Sequence, residues 1–173
     1  QVLAYKDEIN KPKVEAEALF NLAHLYTMQG KYNEALQNHK LALAIRRSVN
    51  DKKNEAQSLN DIGELYGLMK NAEKAMANHL VALEIRQKLK DKKGIAESYN
   101  NIGAEYYHQK NFNRAIANLD LALVAGKESD DQHQMSKSYE YLSECFEAKG
   151  DLSKALQYKD YFFGMNELIQ GEK

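Results

Sequence analysis

The side chains that could perform chemistry are five histidines and one cysteine among many carboxylates, and no motif unites them. No histidine stands at a compact metal-ligand spacing from another histidine, a cysteine or an acidic residue. His39 and His79 occupy equivalent places in a repeated pattern, and we expect packed rings with one satisfied nitrogen. Cys145 stands next to Phe146 and is expected to be a small buried hydrophobic side chain. The sequence therefore predicts no metal site, no cofactor and no nucleophile. The histidines are His24, His39, His79, His108 and His133.

The composition excludes several other classes of function. No glycine-rich loop follows a strand, and no pair of carboxylates has surroundings that would separate their pKa values, so an enzyme is not expected. The formal net charge of −1 gives no basic excess for nucleic acid or an anionic membrane surface. No apolar run is long enough to insert into a bilayer. The single cysteine excludes an internal disulfide framework.

A block of forty residues recurs along the chain. The segment 22–26 (LAHLY) returns at 62–66 (IGELY), at 102–106 (IGAEY) and, degraded, at 142–146 (LSECF). A constant period of 20–50 residues is typical of a stacked solenoid, in which no repeat can bury its apolar face alone. The alanines that keep the same step are Ala35, Ala75, Ala115 and Ala155.

Each block predicts two helices, which we call A and B. In the first full block, helix A is expected from about Pro12 to Met28 and helix B from about Tyr32 to Val49, with Gly30 ending helix A. The predicted divisions are residues 12–50, 51–90, 91–130 and 131–170, preceded by the end of a truncated repeat at 1–11. The predicted N-caps are Asp51, Asn71, Asp91, Asn111 and Asp151.

Small residues mark the crossing of the two helices. Gly63 and Gly103 stand where a large side chain would hold helices A and B apart, and the repeated alanines supply a flat patch on helix B. Arg46 and Arg86 are expected at the basic ends of helix B, where the helix dipole favours cations.

The pattern resembles the tetratricopeptide repeat. A large residue, then Gly or Ala, then Tyr three residues further, with alanines nine and sixteen residues beyond it, recurs in register over about three and a half units. The resemblance implies an all-α, right-handed superhelix of helix pairs. The forty-residue period departs from the commonest 34 residues, which implies longer helices. HEAT and armadillo repeats have periods closer to forty residues but lack this pattern of Gly or Ala, Tyr and two alanines.

The junction D-K-K-x-x-A-x-S-x-N-x-I-G at 51–63 is also similar to arrays in bacterial signalling proteins. In those proteins the array precedes a coiled linker and a histidine kinase or DNA-binding domain. The resemblance implies a protein- or peptide-binding module that serves as the sensory or scaffolding segment of a larger protein. The alternatives are a regulator that responds to a peptide and a self-associating structural array. The chain begins within a repeat, so we expect a fragment.

The family resemblance implies a concave groove lined by the A helices. The groove leans acidic and carries amides that can bond to a peptide backbone, so the expected partner is a neutral or basic extended segment. Positions that clamp a chaperone carboxylate in one subclass carry Phe20, His24, Asp61, Glu97 and Asn101 here, so that partner is not expected. The predicted groove residues are Glu17, Phe20, Asn21, His24, Asn60, Asp61, Glu64, Glu97, Asn100, Asn101, Tyr107, His108, Glu140, Tyr141 and Glu144.

Both ends of the chain are apolar. A terminal repeat normally has a polar outer face, so we expect a homodimer through one end or a capping segment in the intact protein. The residues concerned are Val2, Leu3, Tyr5 and Ile9 at the start, and Tyr158, Tyr161, Phe162, Phe163, Met165, Leu168 and Ile169 at the end.

Overall fold

The chain folds into α-helices, and residues 2–171, which this computed structural model describes, contain no strand. Side chains are described from residue 11 onward. The predicted all-α class is confirmed, and helices A and B alternate as predicted. The helices are α1 (Val2–Met28), α2 (Tyr32–Ser48), α3 (Lys52–Leu68), α4 (Ala72–Leu89), α5 (Lys92–His108), α6 (Phe112–Ser129), α7 (Gln132–Ala148) and α8 (Leu152–Gly171).

The first helix begins earlier than predicted. α1 starts at Val2, so the predicted start at Pro12 is wrong and Pro12 lies inside the helix. Proline removes one helical N–H donor and crowds the preceding turn, but no glycine or second proline in residues 2–11 ends the helix. The expected division between 1–11 and 12–50 therefore falls within α1. The predictions for the side chains of Val2, Leu3, Tyr5 and Ile9 lie outside the described residues.

The turns between these helices share one geometry and recur every twenty residues. Each contains one residue with a φ of 51–79°, in the left-handed region. The next residue donates its backbone N–H to the carbonyl five residues earlier over 2.8–3.0 Å, as Asn111 does to Tyr106. This Schellman geometry satisfies carbonyls at the end of each helix. The left-handed residues are Gly30, Asn50, Lys70, Lys90, Lys110, Asp130 and Gly150.

Side-chain caps start most of the helices that follow these turns. All five predicted N-caps are confirmed, since Asp51, Asn71, Asp91, Asn111 and Asp151 each accept a hydrogen bond from the backbone N–H three residues later. Asp131 caps α7 in the same way. Lys31 precedes α2 without a side-chain cap bond.

Glycine permits the close crossing of helices A and B. A Cβ atom at Gly63 would lie 2.6 Å from Cε1 of His79, and one at Gly103 would lie 2.8 Å from Cγ of Leu119. Neither separation is compatible with a real side chain in the present packing. The predicted role of both glycines is therefore confirmed. The flat patch on helix B is buried as predicted at Ala35, Ala75, Ala115 and Ala155.

The chain forms two compact units, the first ending at Ile85 and the second starting at Arg86. Each unit has its own apolar core. The first core contains Leu43, Leu59 and Ile62. The second contains Leu119, Leu142, Cys145 and Phe146, so Cys145 is buried as predicted.

Within the described residues, no helix combines the length and apolar character needed to cross a bilayer.

Replacing Gly103 with leucine should overpack the crossing of α5 and α6. The new side chain would collide with Leu119 and meet the Ala115 carbonyl oxygen 3.4 Å from its Cβ, so we expect a loss of about 1–3 kcal/mol in the free energy of unfolding. Gly164→Leu is the matched control, because a Cβ there has no atom within 4 Å. Urea unfolding of both variants measures the effect. Equal stabilities would show that the crossing tolerates a side chain.

Replacing Lys110 with glycine should stabilise the chain. A left-handed conformation costs an L-residue roughly 1–2 kcal/mol, and Lys110 adopts a φ of 58°. Glycine avoids that cost but adds about 0.5–1 kcal/mol of unfolded-state entropy, so the expected net gain is up to about 1.5 kcal/mol. Gln109→Gly, one residue earlier at a φ of −77°, should instead destabilise. A loss at both positions in thermal unfolding would contradict the turn geometry.

Candidate functional site

The predicted groove residues fall into one set in each compact unit, and each set is described by itself. On α1, Glu17, Phe20, Asn21 and His24 have the i, i+3, i+4, i+7 spacing that places them on one face. Glu17, Asn21 and His24 are exposed there, and Phe20 is half-buried. On α3, Glu64 is exposed. These side chains form the accessible part of the predicted site in the first unit.

A buried arginine on α2 engages two of the predicted groove residues. Arg46 is only 3% exposed, and its Nη2 donates to Glu17 Oε2 over 3.0 Å. Its Nη1 donates to Ser58 Oγ over 2.7 Å, and its guanidinium group lies over the Phe20 ring, 4.1 Å from the ring centroid. Glu17 and Phe20 therefore compensate a buried cation, a role that restricts their movement toward a ligand.

Two amides predicted to meet a peptide backbone are instead completely buried. Asn60 and Asn100 are both 0% exposed. The Asn60 amide oxygen lies 3.2 Å from His79 Nδ1, while Asn100 donates to the Gln134 carbonyl oxygen over 2.9 Å and accepts from Ser138 Oγ over 2.6 Å. In this structure both amides lie in the interior, where their donors and acceptors bond to other parts of the protein.

Three side chains that are far apart in the sequence meet in the first unit. His24 of α1, His39 of α2 and Asp61 of α3 each offer one ligand atom within 4.8 Å of the other two. His24 Nε2 lies 3.1 Å from Asp61 Oδ2, and the two imidazole rings meet edge to face with centroids 5.2 Å apart. His39 and Asp61 are buried, whereas half of the His24 side chain (49%) is open to solvent. We call these three residues the histidine–aspartate cluster.

The pKa values of the two histidines in this cluster shift in opposite directions. The hydrogen bond from His24 to Asp61 raises the pKa of His24, against the opposing effect of burial. The pKa of His39 is lowered to about 4, chiefly by burial, with smaller contributions from the charges of His24 and Arg46 and an opposing one from Asp61. His39 is a packed ring as predicted, but its buried Nδ1 has no hydrogen-bond partner. It is a neutral imidazole at neutral pH.

In the second unit, aromatic and acidic side chains of α5 and α7 form a surface that we call the α5–α7 patch. It consists of Tyr107, His108, Glu140, Tyr141 and Glu144. The ring centroids of Tyr107 and Tyr141 are 5.6 Å apart, and His108 lies 6.4 Å from Tyr141. Burial, reinforced by Glu144, raises the pKa of both tyrosines. The patch therefore presents neutral phenol groups beside carboxylates.

Two further predicted groove residues of the second unit are engaged in internal contacts. Glu97 Oε2 accepts a hydrogen bond from Arg86 Nη2 over 3.0 Å. Asn101 is 4% exposed, and its amide oxygen accepts from Lys137 Nζ over 2.8 Å. The structure thus engages both residues in side-chain bonds to cations of the second unit.

The buried arginines are the residues whose role sequence analysis missed. Arg46 and Arg86 were expected at a basic edge, but both donate to a serine of the next helix, and the Arg86–Ser98 bond of 2.7 Å repeats that of Arg46. The signal in the sequence is an Arg followed by a Ser twelve residues later, at 46/58 and again at 86/98. Gly126 takes the arginine position in the third repeat.

Helix pairs joined by equivalent turns, with a close crossing at glycine, define an α-helical repeat protein. Two tetratricopeptide-repeat models match the chain, one over residues 14–88 and the other over residues 95–128. The chain belongs to the tetratricopeptide-repeat family, as its pattern predicted. No curated protein sequence is significantly similar to it.

Solved structures share the fold over nearly the full chain. BtubC from P. vanneervenii is 25% identical with a TM-score of 0.79, over 93% of this chain and 66% of its own. A Rap protein complexed with Competence and Sporulation Factor is 23% identical with a TM-score of 0.81, over 91% and 43%. A signal-transduction ATPase with a tetratricopeptide-repeat sensor from Pyrococcus horikoshii is 20% identical with a TM-score of 0.79, over 93% and 25%. The chain therefore spans less than two thirds of each of these proteins.

Replacing His39 with leucine, the residue at the equivalent position 119, should reduce the loss of stability in acid. The unfolded ring gains a proton below about pH 6.5, while the folded ring resists it down to about pH 4. As the pH falls through that window, this ring therefore lowers the free energy of unfolding of the wild-type chain by up to about 3 kcal/mol. Urea unfolding at pH 7 and pH 4.5 should show that the free energy of unfolding falls less in the variant than in the wild type. His133→Ala is the exposed control, and a pH-independent difference for His39→Leu would contradict the assignment.

Proposed function

We propose that this chain is a protein- or peptide-binding module and that the α5–α7 patch contacts the partner. The observation that carries the proposal is the exposed or half-exposed state of adjoining rings and carboxylates in that patch. Aromatic side chains supply much of the binding energy at interfaces. The tetratricopeptide fold is generally a non-catalytic interaction scaffold, which agrees with a binding role and not an enzymatic one.

The chemistry of the patch favours a neutral or basic extended segment as the partner. Glu140 and Glu144 can pair with a lysine or arginine side chain, and the faces of Tyr107 and Tyr141 attract a cation. Both phenol groups are protonated at neutral pH, as a phenol is even at its ordinary pKa, and their pKa values are raised further here. Tyr107 already hydrogen-bonds to Glu144, so the Tyr141 phenol is the group that can donate to a backbone carbonyl. An acidic segment would meet like charge.

The proposed context is the sensory or scaffolding segment of a larger bacterial signalling protein. A chain of similar fold is the sensor of a signal-transduction ATPase, and another is complexed with Competence and Sporulation Factor. The second relationship favours the alternative in which this chain is a regulator domain that responds to a peptide. In either context the patch would be the surface that recognises the signal.

Charge reversal at Glu140 should weaken the binding of basic peptides. Glu140 is exposed on α7, and reversal replaces an attraction worth about 0.2–1 kcal/mol with a repulsion of similar size, so we expect affinity to fall about twofold to thirtyfold. Fluorescence anisotropy with a library of basic, neutral and acidic peptides would measure it, at low and high salt.

Glu167→Lys, on exposed α8, changes the net charge equally and serves as the control. A fall in affinity for Glu140→Lys alone would support the α5–α7 patch as the binding surface. That proposal would be overturned by equal effects of the two reversals, or by equal binding of acidic and basic peptides to the wild-type chain.

Self-association through α8 is the second proposed use of the chain. Apolar side chains on this helix are exposed at Leu152, Leu156, Tyr161, Phe163 and Leu168, and burying them against a second copy would remove them from water. Sedimentation velocity across a hundredfold range of concentration should then show a dimer that Leu156→Glu weakens. A wild-type monomer throughout that range would contradict self-association.

A further inference from the structure

We propose that His24, His39 and Asp61 form a binding site for a divalent transition-metal ion, of which Zn²⁺ is the best match. The proposal goes beyond the binding function above and does not depend on it, because the α5–α7 patch belongs to the other compact unit. The three residues come from three consecutive helices, and their ligand atoms already lie within 4.8 Å of one another.

The geometry needs only a small adjustment to hold a metal ion. Ligand atoms at the usual zinc distance of about 2.0–2.1 Å in a tetrahedral site are separated by roughly 3.3 Å. His24 Nε2 and Asp61 Oδ2 already meet this at 3.1 Å. Because half of the His24 side chain is exposed, its ring can rotate as the three ligand atoms draw together.

The side chain of His39 is an independent indication that the cluster is a ligand site. Its ring is 1% exposed, and its Nδ1 has no hydrogen bond. Buried polar atoms are almost always satisfied, so this ring is either an isolated defect or one side of a ligand site. The presence of a second imidazole and a carboxylate within reach favours the ligand site.

The donor set selects the class of ion. Two imidazole nitrogens suit zinc, copper, nickel and iron, whereas magnesium and calcium prefer sites made of oxygen atoms. Three protein ligands leave one position open, which water can take on the exposed side of His24. Phe20 covers the other side, with its ring 4.6 Å from His24 and 5.2 Å from His39.

The charges around the cluster permit a cation. Asp61 is the negative ligand, and Glu64 lies close enough to act on the charge of His24. Arg46 is the neighbouring cation, but Glu17 pairs with it over 3.0 Å.

The chain itself supplies substitutions suited to testing this site. One or two repeats later, the positions equivalent to 24, 39 and 61 carry Ala104, Leu119 and Asn101. His24→Ala, His39→Leu and Asp61→Asn therefore each introduce a residue that the repeat already accommodates. Such variants separate the loss of a ligand from the loss of the fold.

Equilibrium dialysis against Zn²⁺ and thermal unfolding with and without Zn²⁺ test the proposal on the full chain, free of any affinity tag and stripped with a chelator. We expect one ion per chain and a melting temperature that rises with Zn²⁺. Each of the three substitutions should weaken binding at least about tenfold, the loss that even an outer-shell change can cause.

His108→Ala and His133→Ala remove exposed histidines and should leave zinc binding unchanged. The proposal is overturned if Zn²⁺ does not alter the wild-type melting temperature, if His24→Ala and Asp61→Asn bind as the wild type does, or if either control abolishes binding. A folded variant is recognised by its cooperative melting in chelator, so a lost ion and a lost fold are distinguishable.

Discussion

The close approach of the two helices in each repeat is the constraint on which the rest of the structure depends. Gly63 lies against the side chain of His79 on helix B of its repeat, and in the next repeat Gly103 lies against Leu119. Neither position has room for a Cβ atom. Ser143 holds the same place in the last repeat and donates its hydroxyl to the Ala155 carbonyl over 2.9 Å. A small residue therefore lets the helices touch, and a hydroxyl is accepted where it finds a partner in the opposite backbone.

Buried polar bonds, in addition to apolar packing, connect successive helices. Arg46 and Arg86 each bind a serine of the following helix, whereas Asn100 of α5 binds the backbone of α7, two helices further along the chain. Burying a guanidinium group is costly unless all its donors are used. These bonds fix the position of one helix on the next, because a shift along the helix axis would leave the charge unsatisfied. Apolar contacts alone would allow such shifts more readily.

Much of the fold was predictable from the sequence, because periodicity reports packing directly. The turn at Gly30, the five N-caps such as Asp51 and the glycine crossings follow from single residue types whose geometry is intrinsic. The predicted start of α1 at Pro12 was wrong, since a helix can continue through one proline where no other signal ends it. The surface was harder to predict. Asn60 and Asn100 carry amides of the kind that bind ligands, and only the packing between helices shows that both side chains are buried.

The histidine–aspartate cluster shows why spacing along the chain is a poor guide to chemistry in a repeat protein. His24 and His39 are fifteen residues apart and Asp61 is a further twenty-two away, intervals that match no metal-binding motif. In a helical repeat, however, these intervals lead from one A helix to its B helix and on to the next A helix. The repeat uses positions such as 63 and 103 for packing, so these positions hold only small residues along the chain. Positions equivalent to 24 and 61 vary in size and charge from repeat to repeat, because the helix crossing does not require a small residue there. Chemistry specific to one repeat can therefore arise at such positions, on a framework that the remaining repeats share.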